Sequence, residues 1–123
     1  MDENGMPVGC LITAGAIADC TKAVELLGGL SANVLFADRA YDTNNIIDYA
    51  ISRSMEIVIP PKKNRLIQRE YDKELYRLRH LAENAILKLK RWRGIATRYA
   101  KNLDFFPAAV FICSLHLWLL KLA

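Results

Sequence analysis

Three short apolar runs, separated by segments of helical length, constrain this chain more than anything else in it. Val8-Gly9-Cys10-Leu11-Ile12-Thr13, Asn33-Val34-Leu35-Phe36-Ala37 and Glu56-Ile57-Val58-Ile59 are brief and rich in β-prone residues, so each reads as a strand. Between the first two, Asp19 or Thr21 can cap a helix that runs to about Leu27 and stops at Gly28-Gly29. Between the second and third, Thr43 can cap a helix whose apolar positions are Ile46, Ile47, Ala50 and Ile51. Parallel strands need a crossover of a dozen or more residues, usually a helix. Residues 1–60 are therefore expected to form a βαβαβ part, and the fold class is α/β.

Pro60-Pro61 closes this part. Residues 61–71 form a basic loop around Lys62-Lys63-Asn64-Arg65. A long helix is expected over 72–93, starting at Tyr71 or Asp72, free of Gly and Pro, and ended by Gly94. A last helix is expected over 103–121, starting near Leu103 or Pro107, so the chain ends in a long helical pair. With 123 residues, the chain is one domain or a part of one. A content of 53% hydrophobic and 24% charged residues fits a folded chain and excludes a disordered one. Three scattered cysteines exclude a self-contained disulfide framework or a CxxC motif, and a reducing cytosol is the simplest setting. The acidic start Met1-Asp2-Glu3-Asn4-Gly5 is unlike a secretory signal. Phe105 to Leu120 is apolar, but a spanning helix needs about 20 such residues. It is expected to be a buried helix of a larger core, with a membrane-anchored basic protein as the alternative.

Charge divides the chain. Residues 1–60 hold three basic and eight acidic residues, and residues 61–101 hold thirteen basic and four acidic ones. A concentrated basic segment after an acidic one suggests a polyanion partner. The alternative is a solvated basic helix face.

No phosphate-cradling glycine loop, zinc spacing around His80 and His116, or serine nucleophile elbow is present. Asp38 falls at the carboxyl end of a strand, where ligands bind in open α/β sheets and where a carboxylate can hold a hard cation such as Mg²⁺. A strand-end Asp can equally cap the next turn. On a continuous helix with Tyr76 at 0°, Arg79 falls at about −60°, Glu83 at about −20° and Lys90 at about −40°. These polar groups share one stripe beside an apolar face of Leu75, Leu78, Ala82, Ile86 and Leu89, while Arg77, Lys88 and Arg91 lie away from it. An Arg79–Glu83 pair would stabilise by only about 0.2–0.5 kcal/mol and would leave Tyr76 and Lys90 unexplained.

Tyr76-x2-Arg79-x3-Glu83-x6-Lys90 resembles the Y-R-E-K signature of bacterial insertion-sequence transposases of the DDE type, the insertion-sequence-five group. Asp38-Arg39-Ala40-Tyr41 looks like the segment around their second catalytic aspartate. The segments Val58-Ile59-Pro60-Pro61-Lys62-Lys63-Asn64-Arg65, Tyr71-Asp72-Lys73 and Ile95-Ala96-Thr97-Arg98-Tyr99 agree, in order, over essentially the whole chain. The resemblance implies a ribonuclease-H-like fold and a DNA transposase that cuts transposon ends and joins them to target DNA by Mg²⁺-dependent phosphoryl transfer. It implies Asp38 and Glu83 as catalytic, metal-binding carboxylates for two Mg²⁺ ions. It implies Tyr76, Arg79 and Lys90 as DNA-positioning residues. The basic block adds Lys62, Lys63, Arg65, Lys88 and Arg91 as DNA-binding candidates.

Asp2-Glu3-Asn4-Gly5-Met6-Pro7 looks like the stretch that follows the family's first catalytic aspartate, so Asp2 is not expected to be that ligand. The expectation is thus a truncated or second-frame catalytic portion, lacking the first strand or strands. Such a chain alone is expected neither to nick nor to join DNA. Its partners would be DNA, an upstream-frame part of the same transposase and, when complete, further copies of itself, in the bacterial cytoplasm near the nucleoid and without a membrane. The alternative is a catalytically inactive DNA-binding remnant. Trp92 could stack on a base but is expected in the core.

Overall fold

The computed structural model describes residues 1–92 and 105–123. The expected stop at Gly94 and the Ile95–Tyr99 segment lie outside the described residues. The chain is mixed α/β and divides into two units, residues 13–79 and residues 1–12 with 80–123.

In the unit 13–79, a 3-10 turn (Asp19–Lys22) leads into helix α1 (Ala23–Leu27). Strand β1 (Val34–Phe36) follows, then helix α2 (Asn44–Ser52) and strand β2 (Glu56–Val58). β1 and β2 pair in parallel, with Leu35 opposite Ile57, so α2 is the crossover of a βαβ unit. The helix forms as its sequence dictates: Ile46, Ile47 and Ala50 recur at helical spacing and are its buried residues. Ile46, Ile47 and Ile59 form the centre of the core, packed by Val24, Leu35 and Ile57 among others. Thr43 sits extended at the N-cap, without a side-chain capping bond.

The end of α2 has no glycine signal, yet it is closed. Ser54 adopts φ 56°, its N–H donates to Ile51 O at 2.9 Å, and Met55 N–H donates to Ala50 O at 2.9 Å. This is the paired 5→2 and 6→1 arrangement that satisfies the last carbonyls of a helix. Met55, buried, is the apolar residue that accompanies it.

The expected strand over Val8–Thr13 is not formed, and these residues carry no regular element. A strand exists only where a neighbour supplies its ladder, and among the described residues only β1 and β2 pair. The long helix is in two pieces. Helix α3 (Lys73–Tyr76) is capped by Asp72, whose side chain accepts from the N–H groups of Glu74 and Leu75. It ends in tightened i→i+3 bonds, Arg77 N–H to Glu74 O and Leu78 N–H to Leu75 O. Helix α4 then spans Arg79–Lys90.

In the unit of residues 1–12 and 80–123, the Asp2 carboxylate accepts from Asn4 N–H (2.9 Å) and Met6 N–H (2.7 Å), closing a turn. Burial pushes the Asp2 carboxyl up, but these two N–H groups and the Lys121 charge outweigh it and hold it below the usual value. Gly5 completes the turn at φ 72°, and a Cβ there would lie 2.8 Å from Leu81 O. Gly5→Ala should therefore cost about 1–3 kcal/mol, from the left-handed backbone and from the clash with a main-chain oxygen that cannot swing away. Denaturant unfolding checks this, and an unchanged midpoint would mean the turn does not contribute to stability.

Helix α5 (Phe105–Leu122) is not the buried core helix expected. Val110 and Cys113 are buried and Trp118 Nε1–H donates to Pro7 O at 2.8 Å, but Phe111, Ile112, Leu115, Leu119 and Leu122 are exposed. By length and composition alone it could cross a membrane, and a core helix passes the same test. Of the apolar face expected on the long helix, Leu78 and Ile86 are exposed and Leu75, Ala82 and Leu89 half-buried, while the buried residue of α4 is Ala85. Trp92, expected in the core, is 45% exposed.

Candidate metal and DNA-binding site

Asp38 ends the β1 segment and caps the 3-10 turn Arg39–Tyr41. Its Oδ1 accepts from Ala40 N–H at 2.8 Å, as an Asp before a turn does. Asp38 thus caps its own turn and remains exposed at the carboxyl end of a strand. Tyr41 senses it. Burial, then the Asp19 and Asp38 charges, keep the Tyr41 phenol protonated above its ordinary range.

An open cleft of about 400 Å³ lies beside Asp38, lined also by Arg39, Ala40, Pro60, Tyr71, Tyr76 and Arg79. The cleft thus gathers three of the residues singled out in the sequence: Asp38, Tyr76 and Arg79. Tyr71 and Tyr76 meet edge to face, ring centroids 5.6 Å apart. The Arg79 guanidinium stands over the Tyr76 ring at 5.3 Å from its centroid. Such a stack holds a cation in a fixed orientation at a cost below that of burying it.

Glu83 and Lys90 lie on α4 in the other unit, both exposed, with Lys88 exposed on the same helix and Arg91 exposed just beyond it. The step of about 100° per residue keeps Arg79, Glu83 and Lys90 on one stripe of α4. Tyr76, across the break at Arg77 and Leu78, is not carried onto that stripe by helix geometry. Among the described residues, no group of three or more His, Cys, Asp or Glu side chains is assembled to hold a metal. Asp38 nevertheless fits a hard divalent ion as one oxygen ligand, since only one of its oxygens is engaged by backbone. Mg²⁺ binds through one or two carboxylates plus substrate phosphates, so a full protein cage is not required.

The residue that sequence reasoning passed over is Asp42. Its carboxylate is completely buried and accepts from Arg65 Nε–H (2.6 Å), Lys62 N–H (2.7 Å) and both Arg69 terminal nitrogens (3.4 Å each). Arg65 also donates to Asn44 Oδ1 at 3.0 Å, and Arg69 to Ile59 O at 2.9 Å. Burial alone pushes the Asp42 carboxyl up. The Arg65 hydrogen bond, the Lys62 N–H and the two arginine charges outweigh that and hold it below the usual carboxylate range. Arg65, expected to face DNA, is therefore engaged inside the protein, whereas Lys63 is exposed. The partners of Asp42 lie 20 to 27 residues away, so no local spacing announces it.

Compared with known proteins, the chain matches the family model described as a transposase DDE domain over residues 1–119. It is 32% identical over 123 residues to a Brucella ovis protein named "Putative transposase for insertion sequence element IS6501". That match covers 97% of this chain and 93% of the relative. No solved structure matches the chain.

Proposed function

The chain belongs to the transposase DDE-domain family, and on that premise we propose that Asp38 and Glu83 are two of the carboxylates at which its chemistry takes place. Its function is DNA transposition, and its partner is DNA. The observation that supports Asp38 is the cleft in which it sits beside Tyr76 and Arg79, while Glu83 rests on its place in the Y-R-E-K spacing. An acidic oxygen ligand and a stacked guanidinium within one cleft suit a metal-bound phosphate.

Two Mg²⁺ ions, when bound, would stabilise the attacking and leaving oxygens of an in-line displacement at phosphorus. Asp38 and Glu83 would hold them. Arg79, braced on the Tyr76 ring, would orient a phosphate by charge and hydrogen bonds. Pro60 and Tyr71 would shape the wall of the cleft. Lys62, Lys63, Lys88, Lys90 and Arg91 would follow the DNA backbone, giving affinity that falls with salt and depends weakly on sequence. The parallel β1–α2–β2 unit is compatible with a ribonuclease-H-like sheet, which we propose as the complete fold. We further assign a third carboxylate to an upstream-frame part of the same transposase.

The test is end cleavage and strand transfer on a labelled duplex carrying the element's own termini, in Mg²⁺. The chain is assayed alone and with the upstream part that carries the first aspartate. Cleavage by the pair that disappears with Glu83→Ala supports the assignment. Cleavage that survives Glu83→Ala, or salt-dependent DNA binding with no cleavage under either condition, overturns it.

A further inference from the structure

We propose that Asp42 divides the cations of the basic loop into two classes: Arg65 and Arg69 form an internal brace, and Lys62 and Lys63 are left as the loop's contacts to DNA phosphate. The partner is the DNA of the transposition reading, and the proposal rests on that reading for it. The division itself rests on geometry. The Asp42 side chain has 0% exposure, against 27% for Arg65 and 26% for Arg69. Arg65 already directs its nitrogens to three acceptors: the Asp42 carboxylate at 2.6 Å, Asn44 Oδ1 at 3.0 Å and Asp42 O at 3.4 Å. Arg69 is held by the same carboxylate and by Ile59 O at 2.9 Å.

A guanidinium that turned to a phosphate would have to leave a buried carboxylate behind it. With one guanidinium fewer that buried charge is less well compensated, which is unfavourable, so the exchange is opposed. Lys62 and Lys63 carry no such obligation. Lys62 gives only its backbone N–H to Asp42, and Lys63 is exposed. Gln68 Nε2 donates to both Lys62 O and Arg65 O at 3.0 Å, so the backbone that presents the lysines is itself held. Four cations in one short loop are thus expected to count as two towards DNA.

Salt titration of binding to a labelled random-sequence duplex reads this count. Each phosphate contact contributes about 0.9 to the slope of log K against log salt. Lys62→Gln and Lys63→Gln should each flatten the slope by about 0.9. Arg65→Gln and Arg69→Gln should leave the slope unchanged while lowering the melting temperature. Asp42→Asn, by releasing both guanidiniums, should steepen the slope by up to about 1.8. A flatter slope for Arg65→Gln or Arg69→Gln in folded protein would overturn the division.

A measurement on unaltered protein covers variants that do not fold. DNA should protect Lys62 and Lys63 from an amine-selective reagent, read by mass spectrometry. It should leave the reactivity of Arg65 and Arg69 towards a dicarbonyl reagent unchanged. Protection of either arginine by DNA overturns the proposal. Absence of any salt-dependent binding by the unaltered chain would instead overturn the DNA reading of the whole basic block, which is a separate failure.

Discussion

Asp42→Ala is expected to destabilise the 13–79 unit by about 3 kcal/mol, the lower end of the cost of breaking a buried ion pair by removing one partner. The lower end applies because Arg65 and Arg69, left without their acceptor, are each about one-quarter exposed, and water can solvate them in part. For a chain of this size that is a drop of roughly 10 °C or more in melting midpoint. The pH dependence follows from the same carboxylate. Its folded pKa lies below the unfolded value of about 3.9. Its contribution is therefore complete above that unfolded value and is lost as pH falls through the folded one. The unaltered protein should lose stability in acid below about pH 4, and Asp42→Asn should show a flatter acid limb from an already lower plateau. Urea unfolding at several pH values measures both. Equal acid limbs in the two proteins would show that Asp42 does not couple protonation to folding.

Asp38→Asn is expected to act on chemistry and barely on stability. Asn keeps the oxygen that accepts from Ala40 N–H, so the turn at the end of β1 remains capped. An exposed isosteric change of this kind stays within about 0.5 kcal/mol. What is lost is the negative charge that would hold a metal ion. Metal stabilisation of transition-state charge is worth several kcal/mol, which corresponds to a loss in cleavage rate of about a thousandfold or more. Single-turnover cleavage, with the proposed upstream part added, reads the rate, and thermal melting of the chain reads the stability. A thousandfold loss with an unchanged midpoint fits a ligand. A parallel loss of both would make Asp38 a capping residue and nothing more.

The parts of the fold legible in sequence were those set by local chemistry. β1, α2 and β2 formed where periodicity and turn residues put them, because Ile46, Ile47 and Ala50 face one core and Pro60-Pro61 ends β2. Val8–Thr13 has the composition of a strand, but pairing depends on a neighbour that composition does not name. The break at Arg77 and Leu78 carries no glycine or proline and shows itself only as i→i+3 bonds. Ser54 closes α2 in a conformation for which glycine is the usual signal. Of the candidate site, Asp38 could be named from its place at a strand end and Tyr76 and Arg79 from the family resemblance, and the cleft contains all three. Asp42 could not, since its importance comes from burial and from arginines that are distant in the chain. The exposed face of α5 has the same residues a buried face would have, so its composition is blind to which side finds a partner.

The positions of the aromatic residues have an optical consequence. The chain has two tryptophans, Trp92 and Trp118, and both belong to the unit of residues 1–12 and 80–123. Trp118 is anchored through its indole N–H to Pro7 O, while Trp92 is 45% exposed. Four of the five tyrosines, Tyr41, Tyr49, Tyr71 and Tyr76, belong to the other unit, which holds the βαβ core and Asp42. Indole emission therefore follows one half of the molecule and phenol absorbance mainly the other. Unfolding of the Asp42 half would pass almost silently at indole wavelengths and register in the tyrosine band, so the two chromophores give this chain a built-in separation of its halves.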